Sequence, residues 1–356
     1  MSPPQPEFPS PQARDVLISV NPRAGRKGRQ RLVGTVATAL ADQGFRVQIL
    51  SDLEAVTSLA AELLEKEQLR AVLGAGGDGT MSVLANRLPA QTPLAPLPVG
   101  TENLLAKYLQ MRDLDQVVQA IAGGAIAHLD AGRLRTAVNS TDPDGPRMEQ
   151  IFLLMVSCGF DAEVIHRLHS NRAGNITQLS YGKPILHAIR TYEYPELRLY
   201  WDPEAAADDL TQSTSSPLTA RWAFAFNLPC YAWGLKFTPN ASGVDGCFDL
   251  CTLQNGSLWQ AAKYLLAVLR QRISGLKDCT MTRLKRFRIE ADRPVPVQAD
   301  GEPMGFLPME VDLLPRRLKL VVPEAWALQA GFGPAAAAGT NGQPSEPDRR
   351  MPLSTE

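Results

Sequence analysis

Apolar positions in the first third of the chain switch between two periods. DVLISV (15–20) is a continuous apolar run, Gly28–Gln43 carries its apolar residues at helical spacing, and FRVQIL (45–50) is β-rich again. Leu53–Glu67 predicts a second helix, RAVLGA (70–75) a strand, Met81–Arg87 a helix, and LAPLPV (94–99) a strand leading into a helix near Glu102–Leu109. Strands alternating with helices of this length predict βαβ units, hence a parallel sheet covered on both faces. After about Gly124 the pattern changes. IAHLDAGRLR (126–135), QIFLLMVSCGF (150–160), LRLYW (197–201), ARWAFAFN (220–227), FDLCTL (248–253), FRIEA (287–291), VPVQAD (295–300) and RLKLVV (317–322) are short β-rich runs divided by turn residues. Helices are expected among them at Asp161–Ser170 and Leu258–Arg272. The expected fold class is α/β plus all-β, with a parallel-sheet domain over 14–125 and a mainly antiparallel domain over 126–322. Polar stretches near Asn139–Glu149 and Asp202–Pro217 read as surface loops. The Pro-rich residues 1–13 and the Ala/Gly/Pro/Ser-rich residues 331–356 read as disordered tails, with 323–330 as a return to the first domain.

Composition narrows the function classes. The 356 residues hold 36 Lys+Arg and 37 Asp+Glu, a net charge of −1, so no global field draws the chain to nucleic acid. Five cysteines (Cys158, Cys230, Cys247, Cys251, Cys279) form no CxxC pair, which points to reduced, mostly buried thiols rather than a disulfide framework or zinc ribbon. No basic segment followed by an apolar stretch opens the chain, and no apolar run reaches ~18 residues. A cytoplasmic protein able to visit a membrane surface is expected. Its basic residues cluster at Arg23–Arg31 and at Arg283–Arg288; such runs suit a solvated face, a phosphate or an anionic bilayer.

The strongest chemical signal is Gly74-Ala75-Gly76-Gly77-Asp78-Gly79-Thr80, between an apolar strand and a helix. Glycines at such a junction let backbone N–H groups approach a phosphate, and the helix N-terminus favours negative charge. Gly74, Gly76 and Gly79 also satisfy the dinucleotide pattern GxGxxG, with Glu102 where a ribose-binding acid would lie. Asp78 argues against that reading, because a carboxylate in a pyrophosphate turn repels the ligand unless a cation or transferable proton is near, which suits phosphoryl transfer. There is no GxxxxGK[ST]. Asn21-Pro22-Arg23-Ala24-Gly25 and Gly100-Thr101-Glu102-Asn103 follow other strands and are expected to reach the same crevice, although Thr101 alone could simply cap its helix. Asp300-Gly301-Glu302 is a hairpin turn in isolation, but its two carboxylates also offer a general base and an orienting partner. Asp245-Gly246-Cys247-Phe248-Asp249-Leu250 is a turn or a cation site. His166 and His169 lack the partners of a zinc site and read as surface or packing residues. Trp222, Phe224, Phe226, Tyr231, Trp233 and Phe237 read as core strand, with an acyl-chain wall as the alternative.

NPRAG (21–25), GGDGT (76–80), GTENLLAKYL (100–109), SCGFDAEV (157–164), the DG and following Asp of 245–249, and ADGE (299–302) come in the order found in the diacylglycerol kinase catalytic-domain family. The chain resembles that family, which includes bacterial lipid kinases related to sphingosine and ceramide kinases, over roughly Val16–Pro323. The resemblance implies an ATP-binding α/β domain, similar to NAD kinase and phosphofructokinase, followed by a β-sandwich-like lipid domain, with the active site between them. It implies ATP and Mg²⁺ bound by Asn21, Ser51, Gly76, Gly77, Asp78, Gly79, Thr80, Thr101 and Asn103. Ser51 also fits a capping box, Ser51-Asp52-Leu53-Glu54. Asp300 and Glu302 would share the catalytic roles with Asp78, Glu302 being favoured as base, and Asp245 with the carbonyls of Phe248 and Leu250 would hold a structural Mg²⁺. A peripheral membrane enzyme acting on a lipid is implied, and a homodimer is left open. Ala24 and Leu104 depart from the family pattern, which often has a small hydroxyl residue and an Asp there. The alternatives are an NAD kinase-like enzyme acting on a soluble nucleotide and a non-catalytic lipid- or nucleotide-binding protein.

Overall fold

A computed structural model describes residues 7–20, 27–139, 142–170, 191–202 and 217–332. The first part alternates as its sequence predicts: β1 (Asp15–Val20), α1 (Lys27–Asp42), β2 (Arg46–Leu50), α2 (Leu53–Glu65), β3 (Leu69–Gly76), α3 (Asp78–Arg87) and β4 (Pro93–Pro98), then α4 (Leu104–Tyr108) and α5 (Leu114–Gly123). The four strands pair in parallel in the order β4-β3-β1-β2. β3 is buried along its whole length, as a strand covered on both faces by helices must be, whereas β2 at the edge alternates toward solvent. α5 went unpredicted although its start is written in the sequence. Asp113 and Gln116 form a reciprocal capping box there, and Val117, Val118 and Ile121 turn inward.

The β-rich part contains β5 (Ala125–Asn139), β6 (Asp142–Phe152), β7 (Met155–Cys158), α6 (Phe160–Ser170), β8 (Leu197–Tyr200), β9 (Leu218–Ala220), β10 (Trp222–Phe226) and β11 (Phe248–Leu253). After these come α7 (Leu258–Leu269), β12 (Cys279–Leu284), β13 (Arg286–Glu290), β14 (Pro296–Ala299), β15 (Glu302–Val322) and α8 (Glu324–Gln329). The strand expected over 150–160 is broken at Leu153 and Leu154, which leave the ladder to bond Asp300. The loop expected near Asn139–Glu149 is instead β6, a polar ribbon pairing with β5. The loop expected over Asp202–Pro217 falls almost wholly outside the described residues, as do residues 333–356 of the expected C-terminal tail. From Glu7 onward the N-terminal segment is docked, through a backbone bridge to Ile126 and buried Ala13.

β15 joins the two parts. Its first half pairs with β14 and β13, β5 runs along it from Phe306 to Val322, and Lys319 and Leu320 add it in parallel to β4, so one sheet runs β12-β11-β10-β7-β14-β15-β4-β3-β1-β2. β10 stands between two cores. Trp222, Phe224 and Phe226 face the one shared with the parallel-sheet part, and Ala223 and Ala225 face a second around Phe152, Phe248 and Phe287. Phe224 and Phe226 are at most 2% exposed, and Phe237 stacks on Phe224 with centroids 4.7 Å apart, so the aromatic row is core rather than an open acyl wall. Trp233, 46% exposed, lies outside it. All five cysteines are free thiols and four are buried.

Candidate active site

Three loops meet at the carboxyl ends of β3 and β4. β3 ends at Gly76, and Gly77, in extended backbone and with no side chain to cap it, precedes α3. The loop after β4 lies directly on this turn. Gly100 donates its N–H to Gly76 O at 3.1 Å, and a side chain at Gly100 would overlap the backbone of Gly77. Asn103 adopts a left-handed conformation (φ 51°) and braces its own turn, Oδ1 accepting from Gly100 N at 2.9 Å and Nδ2 donating to Gly100 O at 3.1 Å. Asp78 then fastens one loop to the other. Its two oxygens accept the N–H groups of Leu104 and Leu105, each at 2.9 Å, so Asp78 caps α4 from another element. Thr101, considered as a cap, stands before Asn103 at the exposed mouth of the turn. Burial pushes the Asp78 carboxyl up, and the two amides offset part of that rise.

The third loop is the β14–β15 hairpin. Asp300 and Gly301 both have positive φ, 51° and 84°, as an Asp-Gly hairpin turn requires. The two acids of ADGE have separate positions. Asp300 accepts N–H groups from Leu153 (2.7 Å), Leu154 (2.8 Å) and Met155 (3.1 Å), pinning the break between β6 and β7. Burial pushes its carboxyl up to about 6 despite those amides, and the neighbouring Asp78 charge acts in the same direction. Glu302 accepts no backbone N–H among the described residues. Its side chain is 43% exposed, Oε2 lies 3.5 Å from His169 Nδ1, and a Cβ placed on Gly79 would stand 3.2 Å from Oε1. The GGDGT and ADGE segments are thus in contact.

A buried polar network supports this hairpin. Asp161, at the start of α6, accepts from Ser157 (2.5 Å), Gln298 (3.0 Å) and the Tyr231 hydroxyl, and burial raises its pKa. Gln298 Oε1 in turn accepts the Gly301 N–H at 3.0 Å. Gln298, Tyr231 and His169 were not singled out as site residues by the sequence. Gln298 sits two residues before Asp300 in a run that reads as plain strand, and His169 reaches Glu302 only because α6 packs across β14 and β15. His166, by contrast, bonds the Val297 carbonyl at 2.9 Å and has a packing role.

The remaining sequence candidates fall elsewhere. Asn21 and Arg23–Arg26 lie outside the described residues. Ser51 is exposed after β2, and Asp52 rather than Ser51 caps α2. Thr80, in the first turn of α3, folds its hydroxyl back over Gly76. Leu104 donates its N–H to Asp78 while its side chain packs on the core. Asp245 receives Arg283 at 2.6 Å and the Cys247 N–H at 3.3 Å, while Phe248 and Leu250 are buried in β11, paired with β12. A guanidinium already neutralises Asp245, so this set as arranged does not fit a divalent cation. The arginines of the second basic cluster are likewise paired: Arg283 with Asp245, Arg286 with Asp312, Arg288 with Glu290 and Glu310.

A glycine turn at a helix N-terminus and carboxylates from two further loops, one of them in the β-rich part, thus come together as a candidate active site. Residues 15–134 match the family model of the diacylglycerol kinase catalytic domain, and residues 154–322 match that of the YegS C-terminal NAD kinase beta sandwich-like domain. Together these span well over half of the sequence, and the chain belongs to the diacylglycerol kinase catalytic-domain family. It is 23% identical over 320 residues to the diacylglycerol kinase of Bacillus subtilis (strain 168), covering 88% of this chain and 97% of that protein. It is 24% identical to the eye-specific diacylglycerol kinase of Drosophila melanogaster over 88% of this chain, which spans only 23% of that longer protein. Among solved structures, a diacylglycerol kinase from Bacillus anthracis str. Sterne superposes with a TM-score of 0.59 at 18% identity, covering 88% of this chain and 98% of that one.

Proposed function

We propose that this protein transfers the γ-phosphate of ATP to a hydroxyl of a lipid such as diacylglycerol. The observation that carries the reading is Glu302, a carboxylate that accepts no backbone N–H among the described residues and rests against the glycine turn at Gly79. In this reading the N–H groups at the start of α3 receive the triphosphate. Glu302 takes the proton of the attacking hydroxyl as the new O–P bond forms and the bond to ADP breaks. Asp78 keeps the GGDGT and GTEN turns in register through its two N–H bonds, and Asp300 holds the hairpin that aims Glu302. Mg²⁺ supplies charge neutralisation on the phosphates when bound, and Asp78 is the carboxylate at the turn that would organise it. The names of the relatives support diacylglycerol as the first acceptor to try.

The test is purified protein with labelled ATP and, in parallel, diacylglycerol, other lipid alcohols and NAD. Label is expected in a lipid, and Glu302→Gln should lower transfer by about 10³-fold while circular dichroism and melting stay unchanged. Label in NAD, ATP binding without transfer to any lipid, or wild-type turnover by Glu302→Gln would overturn the reading.

A further inference from the structure

Helix α7 presents two unlike faces. Tyr264, Ala267 and Val268 turn inward and join the core. The helix is tied down by Asp278, which accepts from Tyr264 (2.8 Å), Asn255 (3.0 Å) and Lys263 (3.1 Å). The outward face carries Trp259, 84% exposed, Leu269, 61% exposed, and Leu265 and Leu266, each nearly half exposed. Four large apolar side chains on one short helix make a patch of the kind that marks an interaction site. Its flank is basic: from Leu250 to Lys277 there is no Asp or Glu, and beyond Lys263, which Asp278 neutralises, the segment carries Arg270, Arg272 and Lys277. Arg270 and Arg272 stand exposed just past the end of the helix.

We propose that this face docks the protein on a bilayer containing anionic lipids, an inference that rests on the lipid reading of the acceptor. An exposed tryptophan and leucines flanked by arginines match the headgroup boundary, where rings and apolar chains sink in and cations meet phosphates. A second copy fits less well, because a symmetric contact would set the same acid-free basic segments against each other. The face is also joined to the cleft. Tyr264 contacts Trp222, Trp222 contacts Phe160, and Phe160 begins α6, the helix that brings His169 to Glu302.

The test is sedimentation of the full chain with vesicles of phosphatidylcholine alone or mixed equally with phosphatidylglycerol. Binding to the mixed vesicles is expected, with a blue shift of tryptophan emission that Trp259→Phe removes. Trp259→Ser/Leu266→Gln/Leu269→Gln should weaken binding at least tenfold, and each of Arg270→Gln and Arg272→Gln roughly fivefold. All variants should phosphorylate a monomeric short-chain diacylglycerol at the wild-type rate. Equal sedimentation of the triple variant, no preference for phosphatidylglycerol, or a wild-type dimer that the triple variant dissolves would overturn the proposal. If the vesicle results hold but no lipid takes label, the kinase reading fails and the docking surface stands.

Discussion

Acidic side chains gather both in the cleft and on the outer face of β5, β6, β13 and β15, and the two groups are held by opposite means. On the outer face Asp312 receives Arg286 at 2.5 Å, Arg133 at 3.1 Å and Arg135 at 3.2 Å, while Arg147 and Arg288 approach Glu310. At the candidate site Asp78 and Asp300 accept backbone N–H groups, and among the described residues no guanidinium is bonded to either. Their proton affinities diverge accordingly. Burial raises Asp78 and Asp300, whereas at Asp312 burial acts the same way but the arginines outweigh it and lower the carboxyl. An acid fixed by arginines has its charge cancelled within the protein. One fixed by amides has burial, not a bonded cation, setting its ionisation, so that its charge responds to whatever enters the site.

This contrast can be broken experimentally. The largest effect should come from Asp300→Ala, which strands three amides and frees the hairpin carrying Glu302. We expect a loss of about 3 kcal/mol in denaturant unfolding and phosphotransfer below about 1% of wild type; retained activity would mean that amide fixation is irrelevant to the chemistry. Asp278 is a mixed case. Burial raises it, but hydrogen bonds from Asn255, Tyr264 and Lys263 prevail and hold it down at about 2. Its contribution is present above the unfolded value of 3.8 and lost as pH falls through about 2, so up to about 2 kcal/mol should disappear across that window. Unfolding curves of wild type and Asp278→Asn should therefore converge in acid. The smallest effect is expected from Asp312→Asn, about 1 kcal/mol in stability with activity within about twofold of wild type. A fall in activity matching that of Asp300→Ala would erase the distinction between the two groups.

Much of the cleft was legible because its parts are local. The buried runs of β1 and β3, the glycine turn ending at Asp78 and the Asp-Gly hairpin each declare themselves within a few residues. The roles of Asp300 and Glu302 did not, since they depend on which side chain meets Leu153–Met155, a segment more than 140 residues earlier in the chain. β15 was legible only at its end, RLKLVV. Pro303, Pro308 and Pro315 with Gly305 argue against a strand, and they are accommodated by register shifts at Phe306/Met309 and Leu314/Leu318. β6 reads as a loop because an outer ribbon that pairs with β5 alone among the described strands is polar in the same way.

The shared strand also has a consequence for biosynthesis. β4 is complete by Pro98, yet the neighbour that closes its open side, Lys319 and Leu320 of β15, emerges from the ribosome more than two hundred residues later. Until then the first half is a sheet with a bare apolar edge, and β5, β13 and β14 wait for the same segment. Pairings this distant in sequence are slow to form and leave strand edges exposed to other chains. The last strand thus acts as a completion check: a chain truncated before it lacks both the closing neighbour of β4 and the carboxylate of Glu302.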